Sequence, residues 1–171
     1  MYDKRAPISF QFEQKPHLLI VQSSYYEDVA DHLRQGALNI LDRAGVTHEI
    51  VDVPGALEIP TAITYAVKSL DFDAVRRRFD GYVALGCVLK GETNHHEIVG
   101  HESARALLEI SMRYALAVGN GILTCDTREQ ALKRADQNSY DRGGAAAESC
   151  LRMIELKQLF RLSSKRRWVA R

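Results

Sequence analysis

The sequence predicts an α/β protein in which a four-stranded parallel sheet is covered by helices on both faces, a doubly wound three-layer sandwich. Short apolar runs typical of buried strands alternate with longer segments whose apolar residues recur at helical spacing. Strands that alternate with helices in this way form parallel sheets. A chain of 171 residues has the length of one domain with a full core. We expect a single domain over residues 16–171, preceded by an N-terminal arm over residues 1–15.

The predicted elements follow one another in strict order. The strands are apolar runs at residues 17–22, 48–53, 81–88 and 120–125. The helical patterns cover residues 27–44, 57–70, 95–117, a segment opening at 126, and 144–163. Asp126, with Glu129 three residues later, predicts a capping box at the start of the fourth helix. In the arm, residues 8–12 alternate between apolar and polar side chains, which predicts a short additional edge strand.

Composition and charge exclude several classes of protein. The formal net charge of +1 gives no overall field to attract nucleic acid or a membrane surface. Basic residues do collect at the C-terminus, where they favour a solvated helix end over an RNA-binding tail. Three cysteines without a CxxC pair favour buried, unpaired thiols in a reducing compartment. The N-terminus has no long apolar run, so we expect no signal peptide or membrane span and a cytoplasmic location.

The segment GCVLKGETNHHE, residues 86–97, follows the third strand and opens the third helix. Ligands of doubly wound folds bind at the carboxyl ends of the strands, which is where this segment falls. The backbone N–H groups around Gly91 to Thr93, with the helix N-terminus, suit a phosphate. A plain capped helix without a ligand is the alternative. His95 lies in the first turn, where the neutral imidazole is favoured, as proton transfer near neutral pH requires.

A metal site is not expected, although HEIVGH approaches the HExxH pattern of zinc proteases. Here His96 and His101 are five residues apart. At about 100° per residue, the two rings lie roughly 140° apart around the helix, so they cannot share a face. The segment GNGILT at 119–124 likewise lacks the third glycine of a dinucleotide-binding fingerprint.

Two further loops belong to the same predicted edge. VPGALEIP, residues 53–60, makes a sharp turn after the second strand and places Glu58 in the first turn of a helix, where its carboxylate is stabilised. This turn is suited to the polar edge of a heterocycle, or it is an ordinary connection. Tyr25, after the first strand, is placed either to stack on a flat ring or to cover the end of the sheet.

These segments together resemble the lumazine synthase family of riboflavin biosynthesis. The resemblance rests on VPGALEIP, GCVLKGETNHHEIV, GILTCDTREQALKRAD and GGAAAES, and it covers about residues 16–159. It implies a flavodoxin-like fold and a transferase without a cofactor. The implied reaction condenses 5-amino-6-(ribitylamino)uracil with 3,4-dihydroxy-2-butanone 4-phosphate to give 6,7-dimethyl-8-ribityllumazine, water and phosphate.

The resemblance also assigns roles to positions. His95 matches the proton-transfer histidine. The positions that match the pyrimidine and ribityl site are Tyr25, Ala56, Leu57, Glu58, Cys87, Val88, Leu89 and Asn120. Those that match the butanone phosphate site are Glu92, Thr93 and Arg134. Tyr25 and Asn120 stand where the family commonly has phenylalanine.

Topology separates two of these positions from the others. Asn120 is placed at the start of the fourth strand and Arg134 at the end of the following helix, both away from His95. The family builds its sites between adjacent subunits of a pentamer, so we expect a homo-oligomer, a pentamer or an assembly of pentamers, with shared sites. The loop over 137–144 lacks the sequence of shell-forming members, which favours a free pentamer or a pair. Riboflavin synthase is a further implied partner.

Two other functions fit this sequence less well. A non-catalytic flavin- or lumazine-binding protein of the same fold would not need the proton-transfer and phosphate positions, yet His95 and Arg134 are present. A flavodoxin-like electron carrier would need a Ser-, Thr- and Gly-rich phosphate loop after the first strand. The segment SSYYED, residues 23–28, continues instead with bulky tyrosines.

Overall fold

Four parallel strands form the centre of the protein, whose computed structural model describes residues 9–71 and 79–162. The strands are β1 (His17–Ser23), β2 (Thr47–Val53), β3 (Gly81–Leu89) and β4 (Ala117–Cys125). They lie in the order β2-β1-β3-β4, so β1 and β3 are central. The central strands are almost entirely buried, as their continuous apolar runs predict, whereas β2 is mostly exposed.

Helices cover both faces of this sheet. They are α1 (Glu27–Ala44), α2 (Glu58–Lys68), α3 (His95–Arg113), α4 (Arg128–Ala135) and α5 (Arg142–Leu159), and a short 3-10 turn, Ser69–Asp71, follows α2. One core cluster joins α1, α4 and α5 to the sheet, and a second joins α2 and α3 to its other face. The predicted three-layer α/β sandwich is therefore confirmed. Among the described helices, none is long and apolar enough to cross a bilayer.

The edge strand predicted over residues 8–12 is not confirmed. Residue 8 lies outside the described part of the chain, and residues 9–12 belong to no strand. They run along α5 instead. The backbone N–H of Gln11 donates to Glu155 Oε1 at 2.6 Å, and the Phe10 ring lies 4.6 Å from the guanidinium of Arg152. An alternating pattern can equally place apolar rings against a core. Here Phe10 and Phe12 pack against the core cluster to which α5 belongs.

The capping box of the fourth helix forms one residue later than the sequence predicted. The N-cap is Thr127, whose Oγ1 accepts a hydrogen bond from the Gln130 backbone N–H at 3.2 Å. Gln130 Oε1 accepts in return from the Asp126 N–H at 3.1 Å. Thr127 and Gln130 have the same spacing as Asp126 and Glu129, so spacing alone could not choose between the two pairs.

The remaining boundaries shift by a few residues. β4 begins at Ala117, so Asn120 lies within the strand rather than at its start. The third helix ends at Arg113 and the fifth begins at Arg142. The basic segment after residue 162 lies outside the described residues.

Helices α1 and α5 pack backbone to backbone. A Cβ added at Gly143 would lie 1.9 Å from the carbonyl oxygen of Leu33, far inside van der Waals contact. Because that atom belongs to the backbone of α1, it cannot move aside as a flexible side chain can. Gly143, the first glycine of the GGAAAES segment, is thus explained by close helix contact, whereas a Cβ at Gly144 would meet the side chain of the N-cap residue Asp141.

We expect Gly143→Ala to lower the free energy of unfolding by about 1–3 kcal/mol or more, because the added methyl forces the two helices apart. Urea denaturation followed by circular dichroism measures the change. Ser149→Ala, at an exposed position of the same helix, is the control and should leave the midpoint nearly unchanged. Equal midpoints for wild type and Gly143→Ala would contradict the close-packing interpretation.

Candidate active site

A cavity of about 410 Å³ opens at the carboxyl ends of β1, β2 and β3, and we call it the β1–β3 pocket. It collects most of the residues that the sequence singled out. Those lining it are Tyr25, Ala56, Leu57, Glu58, Cys87, Val88, Leu89, Thr93 and His95. Parallel pairing explains this, because β1 lies between β2 and β3 and all three strands end at the same edge.

Tyr25 presents a free aromatic face at the mouth of this pocket. It lies in the loop between β1 and α1, and 72% of the residue is exposed. Its contact is with Tyr26, edge to face, with ring centroids 5.0 Å apart. An exposed aromatic ring beside a cavity is suited to stack on a flat ligand.

The turn after β2 supplies the polar end of the pocket. The Glu58 backbone N–H donates to the Gly55 carbonyl at 3.2 Å and closes the turn. The Glu58 carboxylate folds back over Gly55, where an added Cβ would lie 2.8 Å from Oε2. A larger residue at this position would displace the Glu58 carboxylate from the turn. Ala56 is buried beneath the turn and Leu57 is partly exposed at its surface.

Cys87 contributes its backbone to the pocket and not a reactive thiol. Its side chain is only 8% exposed and belongs to the core cluster beneath α1. Burial, the largest cause, raises the pKa of the Cys87 thiol to about 12, so the thiol is neutral at physiological pH. Cys125 and Cys150 are also buried and free, which confirms the prediction of buried, unpaired thiols.

The two histidines at the start of α3 differ in their partners. His96 Nδ1 lies 2.8 Å from the Thr93 carbonyl and is held by the backbone. Among the described residues, no hydrogen bond holds the ring of His95, which lines the pocket beside Thr93. Asn94 is the N-cap residue, but its side chain makes no capping bond. The His95 N–H donates to Thr93 Oγ1 at 3.4 Å and the Glu97 N–H to the Asn94 carbonyl at 3.1 Å, so among the described residues of the first turn the His96 N–H is left open to an anion. Glu92 is exposed on the same loop but does not line the pocket.

Asn120 and Arg134 lie in a different cavity. This β4 cavity, of about 590 Å³, lies between α3, β4 and α4 and is lined by residues that include Lys90, His101, Asn120, Thr124, Asp126 and Arg134. Arg134 donates to the Gln130 carbonyl at 3.2 Å, and its guanidinium lies 5.8 Å from the Tyr140 ring. Asn120 Oδ1 accepts from the Ile122 N–H at 2.9 Å. The structure thus leaves both residues apart from the β1–β3 pocket, as the topology predicted.

The described residues contain no group of three or more His, Cys, Asp or Glu side chains placed to hold a metal ion. His96 and His101 both line the β4 cavity, without a third ligand beside them in that part of the chain.

Sequence reasoning missed the polar residues beneath the Tyr25 loop. Gln22, Ser24 and Asp52 are joined there by hydrogen bonds. The signal was a glutamine at the end of the apolar run HLLIVQ. Its partner lies on another strand, so only the sheet register reveals the pair. Reasoning from sequence also missed the ion pair between Asp28 and Arg128, at 2.9 Å, which ties α1 to α4.

Comparison with known proteins points to a single family. The sequence model of the 6,7-dimethyl-8-ribityllumazine synthase family matches residues 15–158. The chain belongs to this family. A 6,7-dimethyl-8-ribityllumazine synthase of Agrobacterium fabrum is 49% identical over 144 residues, covering 84% of this chain and 96% of the relative. The corresponding protein of Bartonella tribocorum is 47% identical over 150 residues, covering 88% and 95%. Synthase 1 of Rhizobium meliloti is 51% identical over 142 residues, covering 83% and 92%.

Membership extends over nearly all of the described chain and includes every segment that lines the β1–β3 pocket. The three-layer fold, with β1 and β3 central, is therefore the fold of a lumazine synthase family member. The matched residues include the loop GCVLKGETNHHE at the start of α3.

We expect none of the thiols to react quickly with a disulfide reagent in the folded protein near pH 8, because all three are buried and the pKa of Cys87 is about 12. Ellman's reagent measures this directly. In denaturant the same protein should release all three equivalents. A fast-reacting native thiol that disappears in Cys87→Ala would show that the Cys87 side chain reaches solvent and is ionised.

Proposed function

We propose that this protein catalyses the condensation of 5-amino-6-(ribitylamino)uracil with 3,4-dihydroxy-2-butanone 4-phosphate to 6,7-dimethyl-8-ribityllumazine. The observation that carries the proposal is the β1–β3 pocket. It places a free aromatic ring, an acidic turn, an open helix N-terminus and an unbonded histidine around one cavity. The aromatic ring suits a flat substrate ring, and the acidic turn suits the polar edge of that ring. The helix N-terminus suits a phosphate, and the histidine suits a reaction that moves protons.

The pyrimidine is assigned to the Tyr25 end of the pocket. The ring stacks on Tyr25, and the polar groups of the ring and ribityl chain meet the backbone of Ala56 and Leu57 and the carboxylate of Glu58. The backbone at the end of β3, from Cys87 to Leu89, forms the floor. Asn120, which belongs to the β4 cavity, is assigned to the opposite face of the pyrimidine in the assembled enzyme.

The butanone phosphate is assigned to the other end, at the start of α3. The open His96 N–H and the partial positive charge of the helix N-terminus favour a dianion there. Thr93 adds a hydroxyl donor, and Glu92 flanks the loop. Arg134 supplies the positive charge that helps phosphate leave, through charge-assisted hydrogen bonds.

His95 is assigned to proton transfer. The amino group of the pyrimidine attacks the butanone carbonyl, and loss of water gives an imine. Loss of phosphate then leaves an enol. The ribitylamino nitrogen attacks the carbonyl form of this enol, and loss of a second water molecule closes the ring. Each stage moves a proton, and an imidazole near neutrality can both accept and donate one. Holding the two reactants side by side contributes the remaining acceleration.

The separation of Arg134 from His95 supports a site shared between subunits. We propose a homo-oligomer built from pentamers, in which the β4 cavity of one subunit faces the β1–β3 pocket of the next. Apolar side chains exposed on α3 support this, because Ile98, Leu108 and Met112 are 58%, 60% and 69% exposed in the single chain.

The unpaired cysteines support a cytoplasmic location. Riboflavin synthase, which consumes the lumazine product, is proposed as a functional partner.

The proposal is tested by mixing purified protein with both substrates and following lumazine fluorescence. His95→Ala should reduce kcat by about 10²–10⁴-fold, the range for loss of a general acid–base group. His32→Ala, an exposed histidine on α1, is the matched control and should leave kcat unchanged.

Absence of turnover above the uncatalysed rate in the wild-type protein would refute the enzymatic function. If the protein then bound lumazine or a flavin tightly, the result would support the non-catalytic binding protein instead.

A further inference from the structure

Three polar side chains form a closed hydrogen-bonded cluster beneath the Tyr25 loop. Gln22 near the end of β1 is paired in register with Asp52 near the end of β2. Gln22 Nε2 donates to Asp52 Oδ1 at 2.8 Å and to Ser24 Oγ at 3.2 Å. The Ser24 hydroxyl donates to the same Asp52 oxygen at 2.5 Å. We call Gln22, Ser24 and Asp52 the loop cluster.

Asp52 is the charged centre of the loop cluster. The hydrogen bond from Ser24 is the largest influence on the pKa of its carboxyl group; burial opposes it, and Gln22 and Arg34 reinforce it. The pKa is held below its ordinary value, so Asp52 is a carboxylate near neutral pH. A carboxylate only accepts hydrogen bonds, which fixes the direction of both donors towards it and makes both bonds charge-assisted.

The cluster is costly for the core of the sheet. Gln22 is 0% exposed and directly follows the buried aliphatic positions Leu18 to Val21 of β1. Its Oε1 atom has no hydrogen-bond partner among the described residues, although burying an unpaired amide oxygen opposes folding. An aliphatic residue would pack there without that cost. Stability of the sheet therefore does not explain the amide.

The loop cluster holds the loop that carries Tyr25. Ser24 immediately precedes Tyr25, whose ring is largely exposed and touches Tyr26. The direction of the ring therefore depends on the backbone of residues 23–25, which the Ser24 hydroxyl anchors to β2. A loop fixed before binding loses less conformational freedom when a ligand stacks on it.

We propose that Asp52, through Ser24 and Gln22, is a positioning residue that sets Tyr25 for the pyrimidine substrate. This inference rests on the proposed function of the β1–β3 pocket and deepens it. Asp52 touches neither substrate. Its effect falls on the binding of the pyrimidine and not on that of the butanone phosphate, which is assigned to the loop before α3 and to Arg134.

Steady-state kinetics with each substrate varied in turn tests the proposal. Asp52→Ala and Ser24→Ala should raise KM for the aminouracil by about five- to twentyfold, as expected for loss of charge-assisted hydrogen bonds. KM for the butanone phosphate and kcat at saturation should stay near the wild-type values. Asp52→Asn keeps an acceptor oxygen and should recover part of the loss. Glu49→Ala, which removes another hydrogen-bonded carboxylate from β2, is the control and should change neither KM.

The test for action through Tyr25 is a double-mutant cycle. In a Tyr25→Ala background, Asp52→Ala should raise KM for the aminouracil little further. A full additional increase, or equal increases in both KM values, would show a general structural role and overturn the proposal. So would an unchanged KM in folded Asp52→Ala. Thermal melting establishes folding, and if Asp52→Ala does not fold, Ser24→Ala carries the same comparison.

Calorimetric titration of the aminouracil alone keeps this test separate from that of the proposed function. If the wild-type protein shows no turnover, the assigned reaction is refuted. The affinity for the aminouracil still reports on the loop cluster. Wild-type affinity in Ser24→Ala and Asp52→Ala would then reject the positioning role by itself.

Discussion

The parallel pairing of β1 with β3 is the constraint on which the site depends. Because the two strands are neighbours and point the same way, the loops that follow them emerge side by side at one edge of the sheet. Tyr25 and His95 are 70 positions apart in the sequence numbering, yet they line one cavity for this reason. β2 completes the arrangement by adding the turn at Gly55 and the carboxylate of Asp52 from the other side of β1.

The same sheet order has a consequence for assembly. β4 is the edge strand beyond β3, and the first turns of α3 lie between the two cavities, with residues that line each. Asn120 and Arg134 therefore face a separate cavity. In the proposed assignment each cavity of a single chain holds part of the site, because His95 and Tyr25 line one and Arg134 lines the other. A ring of identical subunits would join the parts without any change of fold.

Local sequence patterns explain how much of this structure could be predicted. Continuous apolar runs identified the buried strands, and the positions of the following loops placed most of the β1–β3 pocket. The prediction failed where a pattern had two physical solutions. The alternation at residues 8–12 suits a strand or a segment packed on α5, and two residue pairs had capping-box spacing. Gln22 and Asp52 were missed because they are 30 positions apart and only the register of β1 with β2 brings them together.

Mixing of two inactive variants tests the shared site most directly. His95→Ala and Arg134→Ala are each expected to be nearly inactive alone. Unfolded together in equal amounts and refolded, they should regain about a quarter of wild-type activity, because random assembly gives one site in about four an intact histidine and an intact neighbouring arginine. Particle mass should show the same oligomer before and after. Mixed oligomers that stayed as inactive as the parents would contradict the account and place both residues in one subunit's site.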